Sequence, residues 1–135
     1  MKNRRDFLKE SLILTGAAVL SQPILAEAAP VFPAGLVYTK ENPGRWAGKE
    51  GAHVPKATVE GRSVKIITPH PMTKEHHIVK HTLLTPEGKV LGEKTFFYTD
   101  PAAESSYILP EGVSGTLWIT SFCNLHDLWW AEFKI

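Results

Sequence analysis

The chain has 135 residues, is 43% hydrophobic and 21% charged, carries a formal net charge of +1, and contains one cysteine. That length suits one small domain around one core, and the near-neutral charge argues against nucleic acid or an anionic membrane surface as the main partner. A single cysteine excludes any disulfide within the chain, so the thiol is a buried hydrophobe, an intermolecular link or a ligand.

The N-terminus reads as a targeting segment. Asn3-Arg4-Arg5-Asp6-Phe7-Leu8-Lys9 is a twin-arginine pattern. The apolar stretch from Leu12 to Leu25 is softened by Thr15, Gly16, Ser21 and Pro23, and is too short and interrupted for a stable membrane anchor. Ala26-Glu27-Ala28 offers a small-x-small cleavage site. The expected division is a cleavable twin-arginine signal peptide over residues 1–28 and a domain over residues 29–135, exported to the periplasm or its equivalent. Loss of residues 1–28 removes four basic and three acidic side chains and leaves the remainder electrically balanced. The twin-arginine route exports folded proteins, which suits a site assembled around a metal before export.

Residues 29–52 are rich in Pro, Gly and charge, with Trp46 as an aromatic anchor, and read as an arm leading into the domain. From His53 onward the pattern is β. Val64–Thr68 and His77–Leu84 are apolar runs of strand length. Thr85-Pro86-Glu87-Gly88-Lys89 has the residues a hairpin turn requires, and Val90–Tyr98 answers the preceding run. Ser106–Leu109 is short; Gly115–Cys123 and Leu128–Ile135 form a last pair around a Cys-Asn-Leu-His turn. No long stripe of helical period occurs. Short strands at turn-punctuated spacing predict an all-β sandwich of about seven strands.

Chemistry concentrates in that last turn. Cys123 and His126 lie three positions apart, and thiolate with imidazole suits iron, copper or zinc rather than calcium or magnesium. Strand alternation puts Leu117, Ile119, Ser121 and Cys123 on one largely apolar face. A thiolate there is shielded, and a metal offsets its buried charge. Of the six histidines, His70 and His76 flank a loop whose Pro71 keeps His70 off helix, and His53 precedes Val54-Pro55 on extended backbone. Taken singly, each of these residues has an ordinary reading as packing or surface; together they suggest a metal shell.

His70-Pro71-Met72-Thr73-Lys74-Glu75-His76-His77-Ile78, together with Cys123-Asn124-Leu125-His126-Asp127-Leu128-Trp129, resembles superoxide reductase, the neelaredoxin and desulfoferrodoxin iron domain. The resemblance runs from about His53 to Ile135. It implies an immunoglobulin-like β-sandwich holding one iron ion. His53, His70, His76 and His126 would be equatorial ligands and Cys123 the axial ligand. It also implies one-electron reduction of superoxide to hydrogen peroxide, with electrons from an external donor such as a small redox protein. The resemblance is to the one-iron type, since no second cysteine exists for a four-cysteine centre. His77 and His81 match no ligand position and read as solvent or structural residues.

The pattern departs from the family at one point. A Glu-Lys pair commonly precedes the first histidine ligand there, whereas Gly51 and Ala52 stand here, with Lys49 and Glu50 two residues upstream. Lys49 and Glu50 are the candidate catalytic pair, with Lys49 favoured as the functional cation. The competing readings are an iron-binding redox or electron-transfer protein without turnover, a blue-copper carrier and a structural zinc module. The copper reading lacks a methionine shortly after His126, and a closed four-ligand zinc site leaves one of the five donors unused. Association into a homo-oligomer is compatible with the sequence.

Overall fold

A computed structural model describes Phe32 and residues 34–135. The signal peptide expected over residues 1–28 lies outside the described residues. The domain is all-β, as expected. Among the described residues there are eight strands: β1 (Val37–Tyr38), β2 (Lys56–Glu60), β3 (Ser63–Thr68), β4 (Ile78–Leu84), β5 (Val90–Thr95), β6 (Ala103–Ile108), β7 (Thr116–Cys123) and β8 (Asp127–Lys134). They form a five-stranded sheet in the order β1-β8-β7-β4-β5 and a three-stranded sheet in the order β2-β3-β6.

Two of these strands lie outside the runs recognised in the sequence. β1 falls in the supposed arm and pairs parallel with β8, Val37 beside Leu128 and Tyr38 beside Trp129. β2 pairs antiparallel with β3 along its whole length. The arm also contains a 3₁₀ turn at Gly44–Trp46 and a one-turn helix, α1, at Glu50–His53.

Alternation along the strands builds the core. On β7 the inward residues Leu117, Ile119, Ser121 and Cys123 are buried, and on β3 so are Val64, Ile66 and Thr68. The hairpin expected at Thr85–Lys89 forms, with Thr85 N–H donating to Lys89 O at 2.9 Å and Gly88 in the left-handed region at φ 91°. Strand β5 stops short of Tyr98 because the Asp100 carboxylate accepts from Phe97 N–H at 2.9 Å and closes a turn. At Gly92 a Cβ would lie 2.3 Å from Tyr107 Cδ1, so only glycine lets these strands approach as they do.

The core has two apolar parts. Val64, Ile66, Leu83, Leu109, Leu117 and Ile119 form one. Ile78, Phe96, Ala103 and Cys123 form the other, and Met72 packs against it. Between them along the strands runs a buried polar seam. His81 on β4 hydrogen-bonds through Nε2 to Thr68 Oγ1 on β3 at 2.7 Å and through Nδ1 to Ser105 Oγ on β6 at 2.8 Å. Thr68 Oγ1 also meets Ser121 Oγ on β7 at 2.8 Å. His81 thus joins the two sheets, with every nitrogen satisfied, as a group in low-dielectric surroundings requires.

Candidate metal centre

The second core part ends at the metal candidates. Inward alternation on β7 places Cys123 at the bottom of the site, fully buried. The turn that follows returns the chain at Asp127, which pairs with Cys123. Trp129 Nε1 donates to His126 O at 2.9 Å and fixes this turn from below. His70 follows the end of β3, its N–H donating to Thr68 O at 2.8 Å. The 71–77 loop is shaped by Thr73. Its N–H and hydroxyl donate to His76 O, and its hydroxyl accepts from His76 N–H, all at 3.0 Å. Asn124 ties this loop to the Cys-His turn. Its Oδ1 accepts from His77 N–H and its Nδ2 donates to Glu75 O, both at 3.0 Å. His53 is the last residue of the helical turn α1 rather than on extended backbone as expected; the chain becomes extended only at Val54.

These elements bring His53, His70, His76, Cys123 and His126 together, each offering one ligand atom, with all five atoms within 4.8 Å of one another. The nitrogens make an ordered ring. His70 Nε2 lies 2.9 Å from His76 Nε2, His76 Nε2 lies 3.0 Å from His126 Nδ1, and His126 Nδ1 lies 3.1 Å from His53 Nε2. Metal–imidazole bonds of about 2.1 Å put neighbouring nitrogens of a square about 3.0 Å apart. Three sides of such a square are therefore present. On the fourth side the His53 and His70 ring centroids lie 4.6 Å apart, against 6.0 Å for the diagonal pair His53 and His76. Cys123 Sγ lies 3.2 Å from His76 Nε2, 3.7 Å from His126 Nδ1 and 3.8 Å from His70 Nε2, contacting several members of the ring.

Outer hydrogen bonds select the tautomers. His53 Nδ1–H donates to Lys49 O at 2.8 Å, and His70 Nδ1–H donates to Pro71 O at 2.5 Å. Each leaves its Nε2 lone pair aimed inward, as metal-binding imidazoles require. Burial lowers the pKa of all four imidazoles, that of His70 to about 4. Lys49 adds to this depression at His53, His76 and His126, so its positive charge acts on the site. The Cys123 thiol is pushed up by burial, partly offset by the backbone amides of Leu125 and His126. A bound cation reverses that balance, because coordination deprotonates a thiol. Four neutral imidazoles and a shielded thiol thus fit a borderline or soft transition metal.

Of the remaining candidates, Lys49 is exposed beside this cluster, and its carbonyl anchors His53. The Glu50 carboxylate folds back on its own loop, accepting from Gly48 N–H at 2.9 and 3.1 Å, and is not among the five clustered donors. Those backbone bonds hold its pKa below the usual carboxylate range. His77 turns away, as strand alternation suggests, with Nδ1–H donating to Thr73 O at 2.9 Å. His81 belongs to the core seam.

Sequence reasoning missed a further cluster. The Asp127 carboxylate accepts from Arg45 Nη2 at 2.5 Å and from Trp46 Nε1 at 3.0 Å. The Trp46 ring stands edge-on to His126, centroids 4.6 Å apart. The only advance signal was Trp46, read as an aromatic anchor in an arm rich in Pro, Gly and charge.

Residues 47–132 match the desulfoferrodoxin family model. The chain is 32% identical to the superoxide reductase of Pyrococcus horikoshii over 106 residues, covering 68% of this chain and 92% of that protein. It is 34% identical to the superoxide reductase of Thermococcus kodakarensis over 106 residues, with the same coverage of 68% and 92%. Among solved structures, a variant of the superoxide reductase (neelaredoxin) of Ignicoccus hospitalis superposes with a TM-score of 0.68 at 27% identity, covering 78% of this chain and 98% of that one.

Proposed function

The chain belongs to the desulfoferrodoxin family, and from that membership we propose that it is a superoxide reductase working at a single iron ion held by His53, His70, His76, His126 and Cys123. The observation that carries the proposal is the ring of nitrogens spaced 2.9, 3.0 and 3.1 Å apart with the Cys123 sulfur against it. A tetrahedral zinc site would leave one of these five donors idle. The chemistry that iron supplies in such a site is one electron, with which superoxide and two protons leave as hydrogen peroxide, an external redox protein restoring the electron afterwards.

The chain's own residues account for the rest. Lys49 supplies the positive charge that draws the superoxide anion toward the site, a long-range effect that salt weakens. His53 and His70 are held in one tautomer by backbone carbonyls, so neither of these two rings has to reorganise. Cys123, buried at 0% exposure, keeps its sulfur away from solvent and oxidants. The His76 and His126 side is the less buried one and leaves a way in for a small anion. Glu50 is assigned no ligand role here, since its carboxylate is already engaged by Gly48.

The test is metal analysis of the purified full chain followed by superoxide consumption with a reductant. One iron per chain and stoichiometric hydrogen peroxide are expected. Zinc or copper as the native metal, or iron without superoxide reduction, would refute the assignment.

A further inference from the structure

Asp127 is the one described non-glycine residue with positive φ, at 65°. It lies where the chain leaves the Cys-His turn. L-residues reach this region at a cost that glycine does not incur, although aspartate tolerates it better than most. A glycine would therefore make the same turn with less strain. Something about the carboxylate offsets that disadvantage.

Stability is a poor explanation. The Arg45 and Asp127 side chains are 63% and 37% exposed, and exposed ion pairs contribute little. What the carboxylate adds is geometry. One oxygen, Oδ2, receives both Arg45 Nη2 and Trp46 Nε1, from residues more than eighty positions away in sequence. Around and beyond Trp46 the chain is linked by hydrogen bonds. Ala47 N–H donates to Gly44 O at 3.2 Å, Lys49 N–H donates to Trp46 O at 3.0 Å, and Lys49 O accepts from His53 at 2.8 Å. The segment is thus pinned at one end beside His126 and at the other by His53. Lys49 is itself the second pin, through its carbonyl.

We propose that the Asp127 carboxylate is a clasp that fixes the 44–49 segment against the metal centre and so sets where the Lys49 ammonium stands. Asp127 is a positioning residue, and its effect on superoxide rests on the function proposed above. The clasp supplies a cation from a loop whose lysine is not adjacent to the first histidine. It holds by side-chain contact what a shorter connection would hold by chain length.

The experiment compares the full-length, iron-loaded protein with Asp127→Gly and Asp127→Asn. Hydrogen exchange is followed over residues 44–53, with iron content, the thiolate-to-iron absorption, the thermal midpoint and the rate with superoxide at several salt concentrations. In Asp127→Gly, amides of the 44–49 segment should exchange several-fold faster. The rate with superoxide should fall several-fold and lose part of its salt dependence. Iron content and absorption should stay unchanged, and the midpoint should hold or rise as the strain is relieved. Asp127→Asn keeps a side-chain acceptor for Trp46 and should restore most of the exchange protection. Unchanged exchange in Asp127→Gly overturns the clasp. So does a rate that falls only in step with a lowered midpoint or lost iron. If the segment loosens in Asp127→Gly but the wild-type protein consumes no superoxide, the loop anchor stands and the superoxide reading fails.

Discussion

Acidification offers a direct measure of how the core seam is held. Burial, with a smaller contribution from the Lys94 charge, pushes His81 down to about 4 in the folded protein. In the unfolded chain an imidazole titrates near 6.5. Between those values the unfolded state binds a proton that the folded state refuses, so stability falls as pH falls. The contribution is complete above about pH 6.5, declines below it, and is exhausted once the folded imidazole also protonates near 4. Going from pH 7 to pH 5 therefore removes about 2 kcal/mol through His81, and the full span is worth about 3 kcal/mol. The perturbation is His81→Gln, which keeps a donor and an acceptor between Thr68 and Ser105 and cannot titrate. Urea unfolding of both proteins, metal-loaded in the same buffers, gives the comparison. The other histidines are common to both and cancel. At pH 7 the wild type should be more stable by about 1–3 kcal/mol, reflecting imperfect partners for the buried hydroxyls. That gap should shrink by about 2 kcal/mol at pH 5. A gap independent of pH would show that His81 is not held neutral by burial, and the account of the seam would fail.

Two other substitutions test the site itself. Cys123→Ser should abolish the thiolate-to-iron absorption while leaving far-ultraviolet circular dichroism near that of the wild type, because the β7 register does not depend on the sulfur; an unchanged spectrum would remove Cys123 from the ligand set. Lys49→Ala should slow the reaction with superoxide several-fold and flatten its salt dependence, since a cation that steers an anion acts through a screened field. An unaltered rate and salt slope would move the steering charge elsewhere, with Lys74 the next candidate on the 71–77 loop.

What could be read from the sequence divides by range. The apolar run of β3 and the period-two face of β7 were legible because each carries a buried row, and the turn at Thr85–Lys89 carries its own Pro and Gly. Strand β2 was missed because its residues are at best half-buried, which leaves little contrast to detect. Strand β1 was missed because two residues carry no period at all; it is held by tertiary pairing with β8. The metal cluster followed the same division. Cys123 with His126, and His70 with His76, are short-range pairs whose backbone can be reasoned about locally. The residence of His53 in the same cluster was carried by the family resemblance, and its ring lies among the clustered donor atoms. His81 was set aside as solvent or structural; its full burial reflects an inward position on β4 facing Thr68 and Ser105 of the opposite sheet. The Asp127 contacts lie further out of reach. Arg45 and Trp46 meet that carboxylate only because β1 brings the arm alongside β8, so the partner of a turn residue is decided by a strand too short to announce itself. Four of the five candidate ligands sit on segments with strong local signals, whereas His53 and the residues proposed to aim charge at the site depend on the arm, whose strand is the weakest element of the fold. Rate and salt dependence should for that reason be more sensitive than iron content to changes in residues 37–46.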